Sequence, residues 1–173
     1  HRSIAFPDSL SFRVRDTFDE DERAALRAHN AVFRDRFELR LGIFHKRKTF
    51  VGWHVGVHMP PADFYMMSSA VLPEHRGKGV YSALLEYVLG RARAQGFQRV
   101  SSRHVATNNA ILIPKLKQGF VITGFEISDM HGILVHLSYY FNPLRRQALD
   151  FRSGQCYPDA NLRQYLDLGL DNP

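Results

Sequence analysis

Apolar residues recur along this chain with two different periods, and the switches between them mark out the elements. In residues 38–46, ELRLGIFHK, Leu39, Leu41 and Ile43 alternate with polar or small residues, the period of a half-buried strand. A second strand is predicted over 49–59, TFVGWHVGVHM, after a turn at Lys46-Arg47-Lys48; Pro60-Pro61 ends it. A third, 63–72, DFYMMSSAVL, is more uniformly apolar, which predicts a central place in a sheet. Pro73 closes it. The period then changes. Tyr81, Leu84, Leu85, Val88, Leu89 and Ala92 fall at i, i+3, i+4, i+7, i+8 and i+11. That spacing predicts a helix with one buried face over 79–95, with Gly96 as its stop.

Further along, FQRVSSRHV (97–105) reads as a strand and NNAILIPKLKQG (108–119) as a short helix. Asn108 would cap that helix, Gly119 would stop it, and Pro114 should weaken its first turns. Segments 120–128 and 131–141 read as a strand pair turning at Asp129-Met130. Upstream, 17–37 reads as a helix capped by Asp19, with acidic residues in its first turn, and 11–14 as a candidate first strand. The tail carries two short helical candidates, LRRQALDF and NLRQYLDL. The expected organisation is one domain over 1–141 and a helical tail, 142–173, that packs on it or mediates a contact. A three-strand meander followed by a β-α-β crossover predicts a mixed α/β (α+β) fold.

Composition narrows the class. The 173 residues are 45% hydrophobic and 23% charged, as in ordinary soluble proteins. The one cysteine, Cys156, cannot form an internal disulfide, so no disulfide scaffold is expected. No apolar run approaches bilayer length and the first residues contain no apolar signal segment. A cytoplasmic protein without a membrane partner is expected. The net charge of +6 and pI of about 9.7 favour an anionic partner: nucleic acid, acidic membrane or a phosphorylated small molecule. The basic residues are dispersed without a recognition motif, which disfavours nucleic acid. A homodimer is left open.

One stretch carries more chemistry, LPEHRGKGVYSALL (72–85). A strand ends, a glycine-rich basic loop follows, and an amphipathic helix begins. Backbone N–H groups at such a helix start lack intrahelical partners, and the helix dipole adds partial positive charge. Glycines let a ligand approach the backbone, so the junction suits a phosphate. The P-loop pattern is absent, and Ser82 stands where a dinucleotide fingerprint would need its third glycine.

This stretch resembles the acetyl-CoA-binding motif of the GNAT superfamily of acyl-CoA-dependent N-acyltransferases, [RQ]-x-x-G-x-[GA], with Arg76 and Gly79 in place and Tyr81 replacing the usual Gly or Ala. The later block TNNAILIPKLKQGF is similar to the family's N-x-x-A-x-x-x-Y-x-x-x-G-F pattern at Asn108, Gly119 and Phe120. The resemblance covers about residues 11–141. It implies a central, mostly antiparallel twisted sheet with one parallel βαβ crossover, and an acetyl-CoA cosubstrate without a metal. It implies transfer of an acetyl group to a primary amine by direct attack in a ternary complex. The alternative is a non-catalytic acyl-CoA-binding or interaction module on the same fold. The resemblance places the pyrophosphate on Gly77, Lys78, Gly79, Val80 and Tyr81, with Arg76 nearby. It lays the pantetheine arm along Met67–Leu72, with Val71 as the main contact, Leu72 beside it, and Asn108 touching the arm or fixing its loop.

Attack on a thioester needs a neutral amine, an oxyanion donor and an acid for the departing thiolate. Where many members of this family carry a tyrosine acid, this chain has Lys115. Lys115 is read as a proton donor if burial lowers its pKa, and otherwise as a phosphate contact or surface charge. Tyr81, Tyr139 and Tyr140 are alternative donors. Candidate bases are Asp63, Glu74, His54, His58 and His104, with His104 preferred because the central strands should splay near it. His54 and His58 lie about 13 Å apart on an extended strand, too far for a shared metal. Trp53, Phe50 and Phe44 are candidates for an acceptor pocket or for core packing.

Overall fold

The structure, a computed structural model, describes residues 19–21, 23–24, 36–46 and 48–168. The expected strand at 11–14 and most of the expected helix at 17–37 lie outside the described residues. Six strands follow one another as β1 (Glu38–His45), β2 (Thr49–Met59), β3 (Asp63–Val71), β4 (Arg99–Val105), β5 (Val121–Ser128) and β6 (Gly132–Tyr140). Among the described residues four α-helices accompany them: α1 (Val80–Ala94) between β3 and β4, α2 (Asn109–Lys117) between β4 and β5, then α3 (Pro143–Arg152) and α4 (Ala160–Tyr165) in the tail.

The strands form one sheet in the order β1-β2-β3-β4-β6-β5. Every neighbouring pair is antiparallel except β3 and β4. A parallel pair needs a long crossover, and α1 supplies it. Its apolar stripe, Leu84, Leu85, Val88, Leu89 and Ala92, is buried against Phe64, Met66, Val100, Phe120, Val135 and Leu137 of the sheet side. Gly56 makes this packing possible on β2. A Cβ there would lie within 2.7 Å of the Phe64 ring and 3.0 Å of His54 Nε2.

Two differences from the sequence reading bear on how the site is placed. The fourth strand begins at Arg99 rather than at residue 97, because Phe97 belongs to the close of α1: its N–H donates to Ala92 O, and its ring is buried. The segment after β3 winds into a short 3₁₀ turn, Pro73–His75, before the glycine loop. Pro114 is accommodated inside α2. The tail helices are side-chain capped: Asn142 Oδ1 accepts from Leu144 N–H at 2.9 Å, and Asp159 Oδ1 from Leu162 N–H at 2.8 Å. Arg146 Nη1 donates to Gly119 O at 2.9 Å, tying α3 to the end of α2.

Candidate active site

The parallel joint between β3 and β4 is short. Only Asp63, Phe64 and Tyr65 pair, with Arg99, Val100 and Ser101. Beyond them the strands part, so Met66 and Ser102 stand at the crotch of a V whose arms end at Val71 and Val105. The register of β2 against β3 shows which backbone groups face the opening. Leu72 N–H donates to Val51 O, and the register Gly52↔Val71, His54↔Ser69 runs back from there. Antiparallel residues alternate between facing the partner strand and facing away. Val71 and Ser69 therefore present their backbone to the V. The Val71 carbonyl is taken by Arg76 Nε at 2.9 Å, which folds the basic loop back onto the strand end.

A bulge sets the side chains. Val55 pairs with Ser68 but Gly56 pairs with Met66, so Met67 is an extra residue in β3. One extra residue reverses the in–out phase of a strand. Met66 and Ser69, three apart, consequently share the face covered by α1 and α2.

Lys115 projects from α2 onto that face and is fully buried. Its Nζ donates to Ser102 Oγ at 2.7 Å and to Met66 Sδ at 3.3 Å, and lies 4.7 Å from the Phe120 ring centroid. Because Ser102 accepts from Lys115, its own proton is free for His104 Nε2, 3.1 Å away. On the far arm, His54, fully buried, lies 2.8 Å from Ser69 Oγ through Nδ1, and its Nε2 has no partner among the described residues. Among the described residues no carboxylate pairs with Lys115. Burial therefore lowers the Lys115 pKa to about 7. Burial first, and then the Lys115 charge, lower His104 to about 3 and His54 to about 4. Both histidines are neutral at physiological pH.

The glycine loop stands at the open end. Gly77 and Gly79 both have positive φ, 70° and 76°, and a Cβ on either would meet nothing within 4 Å. Gly79 is the N-cap of α1 and no side chain caps that helix. The first amides of α1 are thus left without intrahelical acceptors. Lys78 Nζ donates to Glu74 O at 2.8 Å, holding the loop closed on itself. Asn108 caps α2 through its backbone, its carbonyl accepting from Leu112 N–H, and its side chain makes no capping bond.

The sequence-predicted residues do not all converge. Tyr81 turns inward: its ring packs on the core, its hydroxyl is buried without a partner among the described residues, and burial pushes its pKa up. Tyr81→Phe is therefore expected to leave turnover within about twofold and to leave stability equal or raised by about 1 kcal/mol, since the lost hydroxyl made no bond. Steady-state rates and a thermal melt check this. Asp63 is committed elsewhere, accepting from Arg99 Nη2 at 3.0 Å and from Ser101 Oγ at 2.6 Å on the opposite face. Glu74 is exposed on the 3₁₀ turn, and His58 packs on Phe97. Tyr139 packs edge-on with Phe141, and Tyr140 lies under Arg145. Among the described residues no three His, Cys, Asp or Glu side chains gather as a metal set, and no helix is long and apolar enough to cross a membrane. A cavity of about 730 Å³ lies between β1 and the first turns of α1, with Leu41, Phe44, Lys78, Val80 and Tyr87 among its walls. It contains Phe44 but neither Trp53 nor the Lys115 cluster. Ser102, Ser69 and Met66 were not singled out in the sequence, where serines on an apolar strand carry no distinctive signal.

A splayed parallel pair ahead of an uncapped glycine-rich helix start is matched at the level of sequence. The model of the acetyltransferase (GNAT) family matches residues 6–120, more than half of the chain. The chain belongs to the GNAT acetyltransferase family. Solved structures agree in fold. A spermidine/spermine N-acetyltransferase of Vibrio cholerae is 16% identical at a TM-score of 0.54, over 70% of this chain and 78% of that one. The ribosomal-protein-S18-alanine N-acetyltransferase of Escherichia coli is 14% identical at 0.56, over 73% and 80%. The NatC complex bound to a Gag peptide and CoA is 17% identical at 0.50, over 55% and 64%. No curated protein matches. At these identities the likeness is one of fold.

Proposed function

We propose that this GNAT protein transfers an acetyl group from acetyl-CoA to a primary amine, with Lys115 as the group that meets the departing thiolate. The single observation that carries this is the buried lysine, unpaired by any carboxylate among the described residues, at the fork between β3 and β4. Gly77, Lys78, Gly79, Val80 and Tyr81 would receive the pyrophosphate on their amides, with the Arg76 guanidinium beside them. Val71 would pair through its free N–H with the pantetheine arm. From Val71 to Met66 is five residues of extended chain, about 17 Å, a reach comparable to that arm, and this brings the sulfur to Lys115. When bound, the cosubstrate supplies the activated acyl group; the chain orients it and stabilises the charge that develops on sulfur. Ser102, held in turn by His104, fixes the position of Nζ. His104, neutral and weakly basic, acts as this positioning residue rather than as a strong base, and the amine arrives already deprotonated.

The fold relatives named above include a spermidine/spermine N-acetyltransferase and a ribosomal-protein-S18-alanine N-acetyltransferase, so polyamines and peptides both belong among the amines tested. The test is thiol release from acetyl-CoA across an amine panel, followed against pH. Lys115 must be protonated to serve, so kcat should fall as pH rises through about 7, and Lys115→Met should lose that descending limb. Acetyl-CoA binding with no thiol release from any amine would leave a binding module instead. Absence of acetyl-CoA binding would sink the reading.

A further inference from the structure

Lys115 is fully buried, and among the described residues no carboxylate balances its charge. From β4 it faces Ser102 and His104, and from β3 Met66; Phe120 faces it from the loop after α2. His54 on β2 is near enough to feel its charge, and Tyr81 is the titratable residue that α1 buries in the same core. The carboxylates of the neighbouring strands are already paired: Asp63 with Arg99, Glu126 with Arg103 and His136. Among the described residues, therefore, no protein group provides the one negative charge that would balance this site. The thiol group that the proposed reaction leaves behind can provide it.

Resting on the acetyl-CoA reading above, we infer that spent coenzyme A is retained as its thiolate, ion-paired with the Lys115 ammonium, so that product inhibition is built into the fork. The step balances without an oxidant. The S–H bond of free coenzyme A breaks, an N–H bond forms on Nζ, and the electron pair stays on sulfur. The opposing term is the gap between an ordinary thiol, about 8.5, and Lys115, about 7. The coupling between the two charges enters this equilibrium once and is worth about 1–3 units; pairing therefore requires a coupling above about 1.5 units, in the upper part of that range. Acetyl-CoA, whose sulfur carries no proton and no charge, gains nothing from this pairing. Product is consequently held more tightly than substrate.

The experiment compares coenzyme A with desulfo-coenzyme A, which lacks the sulfur, on the unaltered protein. A charge-assisted hydrogen bond at this position predicts about ten- to a hundredfold tighter binding of coenzyme A. It also predicts a thiolate absorbance band in the ultraviolet on mixing, near neutral pH where free coenzyme A shows little. In Lys115→Met the band should vanish and the two ligands should bind alike. Equal affinities without a thiolate band, in a protein that binds acetyl-CoA, overturn the inference and leave the acetyl-CoA reading standing. If acetyl-CoA itself does not bind, the reading fails and this inference with it.

Discussion

Lys115→Met is expected to yield a protein that is more stable at neutral pH and far slower in turnover. In the unfolded chain this lysine has its ordinary pKa of 10.5, whereas burial holds it near 7 in the fold. Between those values the unfolded state binds the proton more readily, so lowering the pH from 10.5 to 7 costs the native state stability. At about 1.4 kcal/mol per pH unit, the full cost at pH 7 approaches about 5 kcal/mol. Methionine is similar in length, flexible and uncharged, and it suits a site lined by Met66 and Phe120. A gain of about 2–5 kcal/mol follows, or roughly 2–4 °C in melting temperature for each kcal/mol in a chain of this size. The gain should shrink as pH climbs toward 10.5. Turnover should drop by about 10²–10³, the usual cost of removing a preorganised donor that stabilises charge developing in the transition state. Melting curves at several pH values, beside rates of thiol release, test both halves. A stability difference that ignores pH would show that the lysine is already charge-balanced in the fold.

Gly79→Glu should abolish acetyl-CoA binding in a protein that still folds. The residue sits at φ 76° with open space where a Cβ would go, so only the left-handed backbone opposes a side chain. That costs about 1–2 kcal/mol, partly offset because a carboxylate at a helix start is favoured by the dipole. The same carboxylate would occupy the place proposed for the pyrophosphate. Two like charges about 4 Å apart repel by about 4 kcal/mol at a surface-like dielectric, so a loss of at least about a hundredfold is expected. Gly79→Ala carries the backbone cost without the charge and should lose much less. Calorimetric titration of both variants decides. An unchanged affinity in Gly79→Glu would remove the loop from the binding site.

The strand and helix periods of residues 38–141 were legible because they follow from alternating and 3.6-residue burial, and the glycine loop because backbone conformation forces the residue type. The sheet-face arrangement was not. Pairing of β3 and β4 over only three residues, and the bulge at Met67, depend on neighbours distant in sequence. Lys115 illustrates the limit. Its place was marked by motif spacing, yet a lysine on a short helix is usually solvated, and only the contact with Ser102 and Met66 separates the buried role from the exposed one. Tyr81 shows the converse: a large ring in the glycine loop invites a ligand role, and the helix periodicity that begins there turns it into the core.

The three-residue joint between β3 and β4 also divides the sheet into two leaves with different histories. β1, β2 and β3 pair only with chain neighbours, and β4, β5 and β6 pair among themselves. Each leaf can assemble from contiguous chain, at low loop-closure cost. Joining them must close the whole α1 crossover before a few parallel pairs return anything. Docking of the two leaves, through the joint where Phe64 pairs with Val100, is therefore the expected late step in folding. A ligand lying in the fork would bridge those leaves as a temporary seventh strand. Amide protons on the facing edges of β3 and β4 would then report on occupancy, exchanging slowly only while the fork is filled.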